Sequence, residues 1–461
     1  MNLLKLSTAY LKKNLLSTIL NVLLLSFGIA TIVILVLFSY QLEENLYKNA
    51  EGIDVVVGAK GSPIQLILSG IYHIDNPTGN IDLGEAKQLM RHPMVASAIP
   101  LALGDNYRGY RIVGTTTAYL EKYRAEPASG SLWDFEFEIV LGSDVAEQTN
   151  LAIGDRIVSS HGFSEAGHVH DDHELTVVGI LHPTGTVLDR LILTGVETMW
   201  GIHQPHDHDH EDEYHSDQAH DDEHVHTHNH ADGDSHSHSH DNHQQDGHFH
   251  ENGHSHDHAG HHHTHGRAIT DETFLDEGYD DEQITALLIR YSNPLAAAQF
   301  PRFVNDRTSM QAAAPAVEVT RLLSLLGVGL EAIRLFAFVL IFASVLGIFI
   351  ALLNSMKERK YDLAIMRTLG GSRWKLFSHV VLEGVMISVA GGVLGLLMGH
   401  GAMEGIGRLF SEAQQFAVTG FVYVPGEELI LLLAAAVGVL SSLIPAVMAY
   451  RTEIAETLSK S

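Results

Sequence analysis

The chain has 461 residues, 45% of them apolar, no cysteine, and a formal net charge of −28 from 28 Lys and Arg against 56 Asp and Glu. That balance excludes the basic footprint expected of a nucleic-acid binder and points to a region able to attract cations. Without cysteine neither a disulfide framework nor a thiolate metal site can form, and the length leaves room for two or three structural units.

Residues 1–17 form a short amphipathic segment carrying Lys5, Lys12 and Lys13. No charge then falls between Lys13 and Glu43, and the run from Val22 to Phe38 is apolar or small throughout. A spanning helix needs about 20 such residues, so the first membrane helix is placed at 18–41. A cleaved signal peptide is the alternative. Its apolar core would be shorter, and no small-x-small cleavage site follows here, so an uncleaved helix is expected.

Residues 42–332 read as one α+β domain. Ile53–Val57, Tyr110–Val113, Phe137–Leu141, Arg156–Val158, Leu175–Ile180 and Leu188–Leu193 are short, rich in Val and Ile, and bounded by Gly, Asp or Pro, as strands are. Leu141 to Asp155 reads as a short helix closed by a turn, and Ile284–Tyr291 as a further strand. Residues 294–332 look helical, with Val317, Leu322, Leu325 and Leu326 on one face, forming a stalk into the next span.

The segment 203–265 interrupts this domain. It holds 23 of the 32 histidines and 15 Asp or Glu, with no Lys or Arg. His-x-His recurs at His206, His208 and His210, at His224, His226, His228 and His230, at His236, His238 and His240, and at His261, His262, His263 and His265. So few apolar residues cannot bury a core, and disorder without a ligand is expected. Neutral imidazole is a ligand for Zn, Cu and Ni, and the neighbouring carboxylates add donors. Zinc or a similar metal is therefore the expected occupant, in many exchanging sites of no fixed geometry. The plain alternative is a solvated linker. His168, His170 and His173, beside Asp171, Asp172 and Glu174, form a second candidate patch in what reads as a shorter loop. His73, His92, His379 and His400 stand alone and read as ordinary residues.

Three further spans follow at 333–356, 378–402 and 429–450, separated by a basic segment at 357–377 and a short loop at 403–428, with a tail at 451–461. The basic residues flank the first span, fill 357–375 and follow the fourth. By the positive-inside rule these segments face the cytoplasm and 42–332 faces outward. Glu383, at the start of the third span, reads as a snorkelling or helix-start residue. Gly391, Gly392, Gly395 and Gly399 read as close helix packing.

No P-loop, H-E-x-x-H or G-x-S-x-G motif is present, so the chain carries no sign of catalysis by itself. The segment Met356 to Lys375 reads MKERKYDLAIMRTLGGSRWK. It resembles the signature of the FtsX/MacB/LolC-type permeases, E-R-x-x-E-[IL]-x-x-x-R-x-[LI]-G-A-S, through Glu358, Arg359, Leu363, Arg367, Leu369, Gly370 and Ser372. Asp362 replaces the usual Glu and Gly371 the usual Ala. The glycine-rich third span, Pro445 with the closing Ala455 to Leu458, the turns at 58–63 and 179–185, and the order of one span, outer domain and three spans are also similar to that family.

The resemblance implies a permease subunit of an ABC system in a bacterial inner membrane, with both termini cytoplasmic. It further implies a second permease copy, as homodimer or with a paralogue, and a cytoplasmic ABC ATPase dimer that binds the ATP. Glu358, Arg359, Asp362, Arg367 and Gly370 would form the ATPase-coupling segment. Such permeases do mechanical work in the periplasm, and a periplasmic metal-binding or adaptor protein would be a further partner. With the histidine tract, the expected function is ATP-driven periplasmic work tied to zinc or another transition metal. Two other functions fit the sequence: a lipoprotein-release or peptide-export permease with an incidental tract, and a membrane-anchored metal buffer or sensor.

Overall fold

The computed structural model describes residues 3–161, 169–203, 267–358, 365, 367–368, 371–409 and 418–451. Residues 1–202 and 266–461 pack as one unit. It contains four helices long and apolar enough to cross a membrane, Leu15–Ala50, Pro315–Glu358, Arg373–Leu409 and Glu427–Arg451, joined to a mixed α/β domain.

The α/β domain is built on strands whose two faces are both covered. In chain order these are β1 (Val55–Ala59), β2 (Ile81–Asp82), β3 (Val95–Tyr107), β4 (Tyr110–Thr115), β5 (Pro127–Gly130), β6 (Glu138–Leu141), β7 (Arg156–His161), β8 (Val169–Leu181), β9 (Leu191–Gly195), β10 (Gln283–Ile284), β11 (Ala286–Tyr291) and β12 (Met310–Ala313). Ten of them form one sheet in the order β12-β1-β11-β3-β4-β9-β6-β8-β5, with β7 bridging β3 and β8; β2 and β10 pair separately. Most pairings are antiparallel, while β4–β9 and β6–β8 are parallel.

Side chains alternate across a strand with period two, and here each parity finds its own core. Val55, Val57, Ile112, Ile139, Leu141, Ile192, Leu287 and Ile289 pack on one side, under helices Leu83–Met90, Val196–His203 and Ala296–Arg307. Val56, Val113, Val140, Leu191, Leu193, Ala286 and Leu288 pack on the other, under helices Pro63–Gly70 and Thr117–Lys122. A strand covered on both faces is apolar at every position, which is why these short runs of Val, Ile and Leu stand out in the sequence.

The second face also receives the membrane helices. Leu42 and Leu46 of the first and Val319 of the second join its core. Burying one such side chain contributes about 1.5–3 kcal/mol, enough to fix both helix ends on the sheet. The first helix accordingly runs well past the expected 18–41, and the second begins 18 residues before 333.

The expected helical stalk over 294–332 is corrected. Helix Ala296–Arg307 is followed by β12, and only then does the long helix begin at Pro315. Of the expected face only Leu322 packs on the core. Val319 is buried and Leu322 and Leu323 pack on the core, whereas Val317 is 63% exposed and Leu325 and Leu326 are exposed too. The strand expected over Leu188–Leu193 starts as a 3-10 turn, Val187–Arg190, and becomes β9 from Leu191.

Within the bundle the third helix lies along the first and the fourth. A Cβ at Gly395 would stand 2.8 Å from Ile29 Cβ and 2.9 Å from Ser26 O, and one at Gly399 2.6 Å from Val33 Cβ. Only glycine permits that approach, as expected of small-residue helix packing. The third helix continues to Leu409, beyond the expected 402.

Candidate functional site

Three sets of residues tie the helices to what lies at their ends. The first is the junction with the α/β domain. The last turns of helix Leu15–Ala50 hold backbone acceptors and polar side chains that the domain satisfies. The Tyr72 hydroxyl donates to Leu46 O at 2.8 Å, and Val187 N donates to Asn49 Oδ1 at 2.8 Å. Asn49 O accepts from the Tyr123 hydroxyl at 2.9 Å and from Lys122 Nζ at 3.2 Å. Lys48 Nζ donates to Gly185 O at 2.8 Å and Thr184 O at 3.2 Å. Asp189 shapes that turn by accepting from the backbone N–H of Thr184 and Gly185, and Gly185 has φ of 62°. Burial pushes the Lys122 amine down to about 7, against the pull of Glu51.

The second set is at the opposite end of the bundle. Met356, Leu376, Val380, Ala446 and Ala449 form a small buried cluster that joins the ends of the second, third and fourth helices. Trp374 stacks edge-on with Tyr450 at 5.6 Å and Phe377 at 5.5 Å. Ser372 Oγ accepts from Lys375 N at 3.3 Å at the start of the third helix. Glu358 is the exposed last residue of helix Pro315–Glu358. Arg367 lies on a helical turn that includes Ile365 and Thr368. Arg359, Asp362 and Gly370 lie outside the described residues.

Two residues in this region differ from expectation. Glu383 does not snorkel. It is 5% exposed, inside the bundle, and borders a cavity of about 30 Å³ with Asn14, Thr18, Asn21 and Ser355. A carboxylate in a membrane helix faces the bundle interior because lipid cannot solvate it. His379, read as an ordinary lone residue, is buried with Nδ1 2.9 Å from Ser7 Oγ, which fastens helix Leu3–Lys13 to the third membrane helix. Nothing in the sequence signalled that pair.

The third set closes the domain-side end of the bundle. Gln41 of the first helix exchanges two hydrogen bonds with the backbone of Thr419, at 2.8 and 3.0 Å. His400 likewise does not stand alone: Nδ1 lies 2.7 Å from Gly420 O and Nε2 3.2 Å from Glu427 Oε2. Glu404 accepts from the Thr419 hydroxyl and from Gly420 N. The segment at 418–427 is thus laced to the first and third helices. His92, by contrast, is half-buried and packs its ring on Phe300 and Phe303.

The proposed metal ligands His206 to His265 lie outside the described residues, as does His168. His170 and His173 fall on β8 rather than in a loop. The His173 ring stacks on Phe137 at 5.0 Å, and Glu174 pairs with Arg156 at 2.8 Å. Among the described residues no group of three or more His, Asp or Glu is placed to hold a metal ion.

Beside the histidine tract, Glu197 on helix Val196–His203 is 5% exposed, and its Oε1 has no hydrogen-bond partner. Burial first, then Glu136 and Asp271, push its carboxyl up to about 7. The folded state therefore retains a proton that the unfolded chain releases near pH 4.5. Stability falls as pH rises from about 4.5 to 7 and levels off above, a loss on the order of 2–3 kcal/mol. Glu197→Gln should remove that loss. The variant should melt at nearly the parent temperature at pH 4.5 and clearly higher at pH 8, as read by thermal unfolding in lipid. A gap independent of pH would refute the assignment.

Comparison with known families agrees with this architecture. Residues 334–454 match the FtsX-like permease C-terminal family, and residues 18–216 match the MacB-like periplasmic core domain. The crystal structure of the periplasmic region of MacB from Actinobacillus actinomycetemcomitans is similar at 8% identity and a TM-score of 0.30, covering 60% of this chain and 97% of that one. No curated protein matches the sequence. The two family matches fall on the bundle and on the α/β domain, and the chain is similar in both parts to the FtsX/MacB-type ABC transporter permeases.

Proposed function

We propose that this permease couples ATP hydrolysis by a separate cytoplasmic ABC ATPase dimer to mechanical work in the periplasm, and that the histidine tract ties this work to zinc or another transition metal. The observation that carries the mechanical part is the continuity of two helices. Leu15–Ala50 and Pro315–Glu358 each run unbroken from the bundle onto the same face of the sheet. A displacement at one end of such a rod reaches the other without a hinge to absorb it. The metal part rests on the donor chemistry of the tract.

In this reading the basic segment after Met356 and both termini face the cytoplasm. Two permease copies, identical or paralogous, stand above the ATPase pair. Glu358, Arg359, Asp362, Arg367 and Gly370 meet the ATPase, and the Met356–Leu376–Ala446 cluster passes the push to three helices at once. A periplasmic metal-binding or adaptor protein would receive the work.

The test is Glu358→Ala combined with Asp362→Ala, which leaves every basic residue and hence the topology signal in place. Two charge-assisted contacts at about 1.5 kcal/mol each correspond to about a hundredfold loss of ATPase affinity. ATP turnover by the assembled complex in lipid should fall accordingly, with membrane insertion intact. Unchanged turnover and affinity would leave the segment as a mere positive-inside anchor.

A further inference from the structure

A polar cavity of about 300 Å³ opens in the α/β domain where four separate parts of the chain meet, one of them Gln148 and Thr149 at the end of helix Ser143–Thr149. The turn between β3 and β4 supplies Arg108 and the start of β4 supplies Arg111; the 3-10 turn Val187–Arg190 supplies Arg190; the residues after helix Pro63–Gly70 supply Tyr72 and His73. In a chain of net charge −28, three arginines lining one cavity reverse the prevailing sign.

Two of these groups are built in, not merely near. Arg111 is 7% exposed, with Nη2 donating to Asp75 O at 3.0 Å. Burial lowers its guanidinium to about 10, which marks how poorly water reaches it. His73 is buried and held at φ of 54°, a left-handed conformation a side chain seldom adopts. Its Nε2 lies 3.0 Å from the Tyr119 hydroxyl, while its Nδ1 has no hydrogen-bond partner. Burial and the adjacent Arg111 hold the imidazole neutral, down to about 3. The neutral ring carries one proton, and Nδ1 is the ring nitrogen left facing no protein partner. An outlying backbone conformation that buries an unpartnered ring nitrogen beside a buried cation is the mark of a site built to meet a polar ligand.

Arg108 stands at the turn, also with positive φ, and is exposed at the mouth. Carboxylates also lie close enough to matter electrostatically: Asp75 acts on Arg111, and Asp144, in reach of Arg190, also feels Asp189 and Glu147. They offset part of the arginine charge, while Arg108 stands exposed at the mouth.

We propose that this cavity binds a small molecule bearing an oxyanion, carboxylate or phosphate, held by Arg111 and His73 at its base and by Arg108 and Arg190 at its mouth. Arginine suits planar oxyanions because its fork donates two parallel hydrogen bonds. At about 300 Å³ the space is at the small end of ligand pockets, which favours a compact di- or tricarboxylate or a phosphomonoester over a peptide or lipid. Tyr72 and Val187 line this cavity and also hold Leu46 and Asn49 of the first membrane helix. An occupant would thus sit against the junction through which that helix reaches the domain.

The test uses the full chain in lipid nanodiscs, metal-free and at pH 8, where the tract's imidazoles are neutral. Calorimetric titration with citrate and with inorganic phosphate, at fixed ionic strength, should show one saturable site per chain for at least one of them. The preferred anion distinguishes a carboxylate ligand from a phosphate ligand. Arg108→Gln, at an exposed turn, should weaken binding about tenfold, the loss of one charge-assisted hydrogen bond. Arg111→Gln should abolish it, and Arg111→Lys, which keeps the charge and a donor to Asp75 O, should restore part of it. Absence of saturable binding of either anion at millimolar concentration would overturn the proposal. So would affinity that is the same in Arg108→Gln, Arg190→Gln and the parent.

Discussion

Ser324→Pro should uncouple the permease, leaving ATP hydrolysis near the parent rate while the α/β domain no longer responds to it. Ser324 is exposed on helix Pro315–Glu358, just past the residues that pack on the sheet and before the apolar run that starts at Leu335. A proline there removes one backbone hydrogen bond and collides with the preceding turn, at about 3 kcal/mol, and it kinks the helix. The neighbouring anchors stay in place, since Val319, Leu322 and Leu323 already pack on the domain. What changes is stiffness, not attachment. Residues 315–334 span about 30 Å at 1.5 Å per residue, so a kink midway redirects the whole lever. The absence of native cysteine allows spin labels at Ser97→Cys on β3 and Gly401→Cys on the third helix without background. Their separation should change through the nucleotide cycle in the parent and in Ser324→Ala, and should stay nearly constant in Ser324→Pro. A full nucleotide-dependent change in the proline variant would show that this helix does not carry the motion.

The same helix shows how far the sequence could be read. Its membrane portion was legible because lipid demands an unbroken apolar run, and strands such as β1, β4, β6 and β11 were legible because a doubly covered sheet is apolar at every position, whereas β3 and β5, with Ser, Pro, Gly or Asp inside them, were not. The signature around Glu358 and Arg367 pointed to the family for a third reason, its fixed spacing of charges. The outward extensions were not legible. Past Tyr40 the first helix becomes mixed in character, and its continuation to Ala50 depends on Leu42 and Leu46 meeting the sheet. β12 was hidden because Met310–Ala313 is a four-residue alanine-containing piece whose strand form exists only through pairing with β1; local propensity favours helix there. Val317, Leu325 and Leu326 repeat at helical spacing yet stay exposed, since the docking surface selects Val319 instead. Lone polar residues in apolar runs were the hardest. His379 and His400 could be seen, but their partners Ser7, Gly420 and Glu427 lie tens to hundreds of residues away. The arginine-lined cavity was illegible for the same reason, because Arg108 and Arg190 become neighbours only through the parallel pairing of β4 with β9.

Removing the histidine tract should strip the protein of most of its metal capacity while leaving the fold intact. Helix Val196–His203 leads into the tract and Arg267 leads out of it, and both flanks rest on one short segment. Gly201 lies against the Phe137 ring, and Ala268 pairs with Phe135. A short flexible Gly/Ser linker in place of 204–265 can therefore close the gap without strain. The deleted piece takes with it most of the chain's histidines and 15 carboxylates. If every imidazole in the tract found a place in a four-coordinate site, roughly six zinc ions would be bound. Calorimetry at pH 7.5 should register several ions per parent chain and at most one in the deletion variant. Ligation requires neutral imidazole, so the parent should release its metal as pH falls through about 6 toward 5. A site built on carboxylates alone would hold on to lower pH. Thermal unfolding without metal should be almost unchanged by the deletion, because every core residue of the sheet among the described residues is kept. Equal zinc stoichiometry in the two proteins would dismiss the tract as the reservoir and move the search to His170 and His173 on β8.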